Sequence, residues 1–110
     1  MSSERRTASR FKVAVEVSLE SDAGKFAALT GDMSRGGAFL PTFKEVPTGT
    51  SIDLVISLPS GQEIKATGAV RWCGKTPAGQ GLGISFDDMS PEHRLMFDKF
   101  CENHETPEKK

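Results

Sequence analysis

Two short stretches of this chain hold side chains suited to recognising an anion. The first is Arg6-Thr7-Ala8-Ser9-Arg10, with Arg5 directly before it and Lys12 just after. A guanidinium offers several N–H donors in a rigid fork that fits phosphate or the acceptor edge of a purine. The second is Asp32-Met33-Ser34-Arg35-Gly36-Gly37, which supplies a carboxylate, a hydroxyl and two glycines in one turn-forming run. Gly37 either lets backbone approach a ligand closely or takes a positive φ. Trp72, the single tryptophan, offers a flat face for stacking. Its parity with Ile64 and Val70 makes core burial the rival reading. Each stretch alone is a weak signal. The first also reads as a solvated basic tail, and the second as a β-turn built on an Asx residue.

Charge and composition narrow the chemistry. The 110-residue chain carries a formal net charge of -1. Proteins that bind long nucleic acids are usually basic over a whole face. Here the basic charge gathers in Arg5, Arg6, Arg10 and Lys12 on a near-neutral domain, which points to a small anion rather than a nucleic acid. No nucleophile–base pair stands out, so no enzyme is expected. His93 and His104 fall on a predicted helix as surface or packing residues. Gly81-x-Gly83 lacks the following helix of a dinucleotide fingerprint, and no glycine-rich loop ends in Lys-Ser or Lys-Thr. Cys73 and Cys101 share no metal-type spacing with each other or with the histidines, so they read as free thiols, with no metal and no cofactor. The opening MSSERRTASR has no apolar h-region, and no apolar run is long enough to cross a bilayer. A cytoplasmic protein without a membrane span is the expectation.

The elements that must position these residues follow from periodicity. Phe11 to Glu20 alternates strictly, with Phe11, Val13, Val15, Val17 and Leu19 on one face. Weaker strands are predicted over 25–31 and from Ala38 to the limit set by Pro41. Residues 51–58 alternate again, a hairpin signal follows at Pro59-Ser60-Gly61-Gln62, and residues 63–73 form the next strand. A last strand covers 81–86. At Ser90-Pro91-Glu92 the pattern changes to a helix start, with Asp87-Asp88 ahead of it as favourable N-terminal charge. Met96, Phe97, Phe100 and Cys101 form one helical stripe. The sum is a mainly β domain: a six-stranded antiparallel barrel over 11–104 with a C-terminal helix. A basic arm precedes it over 1–10 and a polar tail follows over 105–110.

The two motifs, R-x-x-x-R at Arg6–Arg10 and D-x-S-x-x-G at Asp32–Gly37, in this order and at this separation, resemble the PilZ family of cyclic di-GMP receptors. Gly81-Leu82-Gly83-Ile84-Ser85-Phe86 looks like that family's last barrel strand. The resemblance extends from about Arg5 to Phe100. It implies a ligand site made of Arg6, Arg10, Asp32, Ser34 and Gly37, with Trp72 packing on a guanine. Arg forks suit the guanine O6/N7 edge and the phosphates, and Asp32 suits the guanine N1–H and N2–H₂ donors. Arg5 supplies a third guanidinium, which would suit a stacked ligand dimer. The implied mechanism orders the arm across the barrel and signals to an unidentified effector protein. Synthesis or hydrolysis of the ligand would need a metal–carboxylate cluster, and none is visible. The alternatives are a nucleotide-independent protein-interaction module in motility or pilus function, and a weak single-strand nucleic-acid binder using the arm and Trp72.

Overall fold

The computed structural model describes residues 10–104 except Ala23 and Ala78. Arg5 and Arg6, most of the arm and the polar tail lie outside the described residues. Among the described residues, seven strands precede one helix: β1 (Glu16–Ser21), β2 (Gly24–Leu29), β3 (Asp32–Ser34), β4 (Gly37–Pro41), β5 (Ser51–Ser57), β6 (Glu63–Thr76), β7 (Gly79–Met89) and α1 (Pro91–His104). They form one antiparallel sheet in the order β2-β1-β5-β6-β7-β4-β3. The two edge strands β2 and β3 are consecutive in the chain. A bridge between Phe11 and Met33 lays the segment before β1 against β3. The sheet therefore curls round on itself into a barrel-like shape.

The core follows the alternation. Val17 and Leu19 of β1, Ile52, Leu54 and Ile56 of β5, Ile64 and Val70 of β6, and Leu82, Ile84 and Phe86 of β7 are all buried. Helix α1 covers this core with Phe97, Phe100 and Cys101. Phe97 meets Phe86 edge-on at 5.3 Å between ring centroids, a favourable aromatic geometry. Ser90 caps the helix: its Oγ accepts the His93 N–H at 3.2 Å. The His93 ring ties the helix to β6, since Nδ1 accepts the Lys65 N–H at 3.0 Å. His104 stacks on Phe11 at 5.6 Å. Both histidines thus have packing roles. Cys73 and Cys101 form no disulfide among the described residues.

Three expectations need correction. The first strand does not pair over its whole length: the ladder begins at Glu16. Thr30 takes over at Val13 and Val15, because its Oγ1 accepts the Val15 N–H at 3.1 Å and donates to the Val13 carbonyl. Side-chain alternation survives there while the ladder is interrupted. Second, Asp32–Ser34 is strand rather than turn, so seven strands replace six. Gly31 donates to the Phe39 carbonyl at 2.8 Å, which hands the chain from β1 to β4. Third, β7 runs on to Met89 because Asp88 and Met89 pair with Thr67 and Ala66. Asp87 and Asp88 are thus exposed strand residues that still lie directly ahead of the Ser90 cap.

Thr30 is buried at 4% exposure, so its hydroxyl is exchangeable only at the cost of two orphaned backbone groups. The isosteric change Thr30→Val is expected to lower stability by about 1–2 kcal/mol. Urea denaturation reads this as a lower midpoint at unchanged slope. An unchanged midpoint would show that water satisfies both groups instead.

Candidate functional site

The site begins with the β3–β4 hairpin. Pairing of Ser34 with Gly37 leaves Arg35-Gly36 as a two-residue turn. Ser34 is buried at 3% exposure, and its Oγ accepts the Gly36 N–H at 3.3 Å. The Phe11–Met33 bridge has backbone bonds of 2.9 Å in both directions. It delivers Arg10 to the start of β3, where Asp32 lies. Nε and Nη2 of Arg10 both donate to Oδ1 of Asp32, at 2.9 and 2.5 Å. Residues 22 apart in sequence are thereby joined. Among the described residues, Oδ2 of Asp32 and Nη1 of Arg10 have no hydrogen-bond partner. The pair offers one free acceptor beside one free donor.

These residues open into a cavity of about 440 Å³ that Ser34, Gly37, Phe39, Arg71 and Trp72 also line. The structure brings together five of the seven sequence-derived site residues: Arg10, Asp32, Ser34, Gly37 and Trp72. Arg5 and Arg6 lie outside the described residues. A larger opening of about 1010 Å³ is lined by Glu20, Asp22, Asp53 and Asp87. Its carboxylates would repel an anion.

A β-bulge overturns the core-burial reading of Trp72. The ladder pairs Val70 with Ile84 but Trp72 with Gly83, so β6 carries one extra residue there. A bulge of this kind turns the following side chain to the other face. Trp72 is accordingly 39% exposed rather than buried with Val70. It stacks on Phe39 with centroids 5.6 Å apart and planes 18° from parallel. Gly83 makes this possible, since a Cβ there would lie 2.0 Å from Trp72 Nε1. A Cβ at Gly81 would lie 2.7 Å from Phe39 Cε1. The alternate glycines of β7 thus clear a floor on which two rings from the neighbouring strands lie.

Of the two roles the sequence suggested for Gly37, a positive φ is not the one it takes. A Cβ at Gly37 would fall 2.2 Å from the Ile84 carbonyl oxygen, so the glycine serves the close approach of β4 to β7. Arg35 turns to the helix, with Nη1 3.6 Å from Oδ1 of Asp98. Phe39, Arg71, Gly81 and Gly83 were not singled out from the sequence as site residues. Gly81-x-Gly83 next to strands bearing Phe39 and Trp72 is the signal that carries them.

The model of the PilZ domain matches residues 4–103, a span holding both motifs. This chain belongs to the PilZ domain family. No curated protein matches the sequence. Solved PilZ-type structures share its fold. The inhibitor of motility MotI/DgrA of Bacillus subtilis superposes with a TM-score of 0.74 at 19% identity, covering 90% of this chain and 50% of that one. This chain thus spans half the length of MotI/DgrA. The PilZ domain of YcgR from Escherichia coli, solved with c-di-GMP, gives 0.70 at 13% identity over 91% of each chain. The PilZ domain of CeSA from a cellulose synthesizing bacterium gives 0.62 at 18% identity, over 86% of this chain and 95% of that one. The mainly β PilZ architecture with its C-terminal helix stands as expected. Among the described residues of this PilZ domain, no helix is long and apolar enough to cross a membrane. Nor does any group of three or more His, Cys, Asp or Glu side chains gather to hold a metal.

Proposed function

We propose that this PilZ domain is a receptor for cyclic di-GMP that works without catalysis and passes the signal to a partner protein. The meeting of Arg10 with Asp32 at the mouth of an aromatic-floored cavity carries this reading. Asp32 Oδ2 accepts from guanine N1–H and N2–H₂, while arginine forks take the O6/N7 edge or a phosphate. Trp72, held flat over Gly83, stacks on a base. Ser34 Oγ, already an acceptor from Gly36, keeps its own proton to donate to a ligand oxygen. Arg5 and Arg6 close over the ligand from the arm, and a third guanidinium there supports two stacked ligands per chain. Ordering the arm costs roughly 1–2 kcal/mol per residue. Charge-assisted bonds of about 1.5–3 kcal/mol each offset that. A changed surface around the arm is then what the partner reads.

Thermal denaturation with and without ligand tests the receptor. At a free ligand concentration a hundred times Kd, stability should rise by about 2.7 kcal/mol. For a domain of this size the melting temperature should climb by about 10 °C or more. Calorimetry should give two ligands per chain; one per chain removes the stacked dimer and keeps the receptor. No shift at saturating cyclic di-GMP favours a nucleotide-independent interaction module.

A further inference from the structure

Three of the four arginines among the described residues are held by carboxylates. Arg10 pairs with Asp32, and Arg35 and Arg94 both approach Asp98, at 3.6 and 3.9 Å. Arg71 has no hydrogen-bond or ion-pair partner among the described residues. Its side chain is exposed and lines the same cavity as Asp32, Ser34 and Trp72. A guanidinium left without a carboxylate at a cavity wall is a donor set awaiting an acceptor.

The bulge explains why it sits there. Val70 pairs with Ile84 and Trp72 with Gly83, which leaves Arg71 as the residue without a partner on β7. Both Arg71 and Trp72 consequently line the cavity. Within the lining, the charges of Arg10 and Asp32 offset one another, and Arg71 is the remaining formal charge. The cavity is thus net positive because of a residue that lies in neither motif.

We propose that Arg71 grips a phosphodiester group of the nucleotide whose base lies on Trp72. This rests on the cyclic di-GMP reading of the site and adds to it a specificity residue carried by the bulge. A base stacked on Trp72 would bring its sugar and phosphate into the cavity that Arg71, the preceding residue, also lines. The guanidinium fork matches two phosphate oxygens with parallel N–H donors.

Calorimetric titration with cyclic di-GMP at two salt concentrations, on the parent, Arg71→Gln and Arg71→Lys, tests it. Arg71→Gln should weaken binding roughly 10- to 30-fold, as loss of one charge-assisted contact does. Arg71→Lys, which keeps the charge, should recover most of that. The loss of affinity with added salt should be shallower in Arg71→Gln than in the parent. The ligand-free melting temperature should not move, because Arg71 has no hydrogen-bond or ion-pair partner among the described residues. Binding by Arg71→Gln within about twofold of the parent overturns the inference while the receptor stands. Equal weakness of Arg71→Lys and Arg71→Gln overturns the phosphate assignment. A parent that does not bind cyclic di-GMP overturns the receptor reading, and Arg71's role with it.

Discussion

Asp32→Ala should cut the affinity for cyclic di-GMP about a thousandfold, the loss of two charge-assisted bonds. It should leave the free domain as stable as before. The two effects separate because Asp32 has two jobs of unequal weight. In the free domain its Oδ1 receives Arg10, but the pair is half open to water, with side-chain exposures of 50% and 30%. An ion pair so exposed contributes only about 0–1 kcal/mol. In the proposed complex the same carboxylate would be the acceptor for guanine N1–H and N2–H₂, a role that no arginine in the cavity can take. Losing it leaves those donors without that acceptor. Calorimetry on the variant measures the first effect and urea denaturation the second. Asp32→Asn, which keeps one acceptor oxygen, should fall between parent and Ala. An Asp32→Ala variant that still binds within about tenfold of the parent shows that the guanine donors go elsewhere.

How much of this was readable beforehand differs by feature. The alternating stripes of 51–58 and 63–70 became buried faces because period-2 patterning is a local property that packing only has to accept. The Ser90-Pro91 helix start held for the same reason, since capping is settled within one turn. What local patterning misses is any event decided between strands. A strand-period count carries Trp72 inward with Val70, and only the partner strand shows that β6 gains a residue at Arg71 and turns the indole outward. The break at Thr30-Gly31 is likewise decided by Phe39 and Val15 across the sheet. The site reads the same way. Asp32 and Ser34 were legible as a motif. Trp72 was named too, but the floor it shares with Phe39, Gly81 and Gly83 was not, because its parts come from three strands. Arg71 was hidden because an isolated surface arginine carries no signal until its lack of a partner is known.

Gly37→Ala should destabilise the domain by roughly 3 kcal/mol, the upper end of the usual cost of overpacking. The added methyl would sit 2.2 Å from the Ile84 carbonyl oxygen. That contact is with backbone, so no side chain can swing away. Relief requires β4 to slide off β7, where Gly37 pairs with Ser85. The Phe86 N–H, which donates to the Gly36 carbonyl at 2.9 Å, would move with it. The neighbouring glycine is the control. Gly36 has open space around a built Cβ and no positive φ, so Gly36→Ala should stay within about 0.5 kcal/mol of the parent. Urea midpoints for the two variants measure the difference. Because the hairpin that strains in Gly37→Ala also carries Asp32 and Ser34, its affinity for cyclic di-GMP should drop as well. If Gly37→Ala proved as stable as the parent yet lost the ligand, the glycine would owe its place to the nucleotide. A loss of stability places it instead in the β4–β7 contact, which makes the last residue of the binding motif a packing residue on which the others stand.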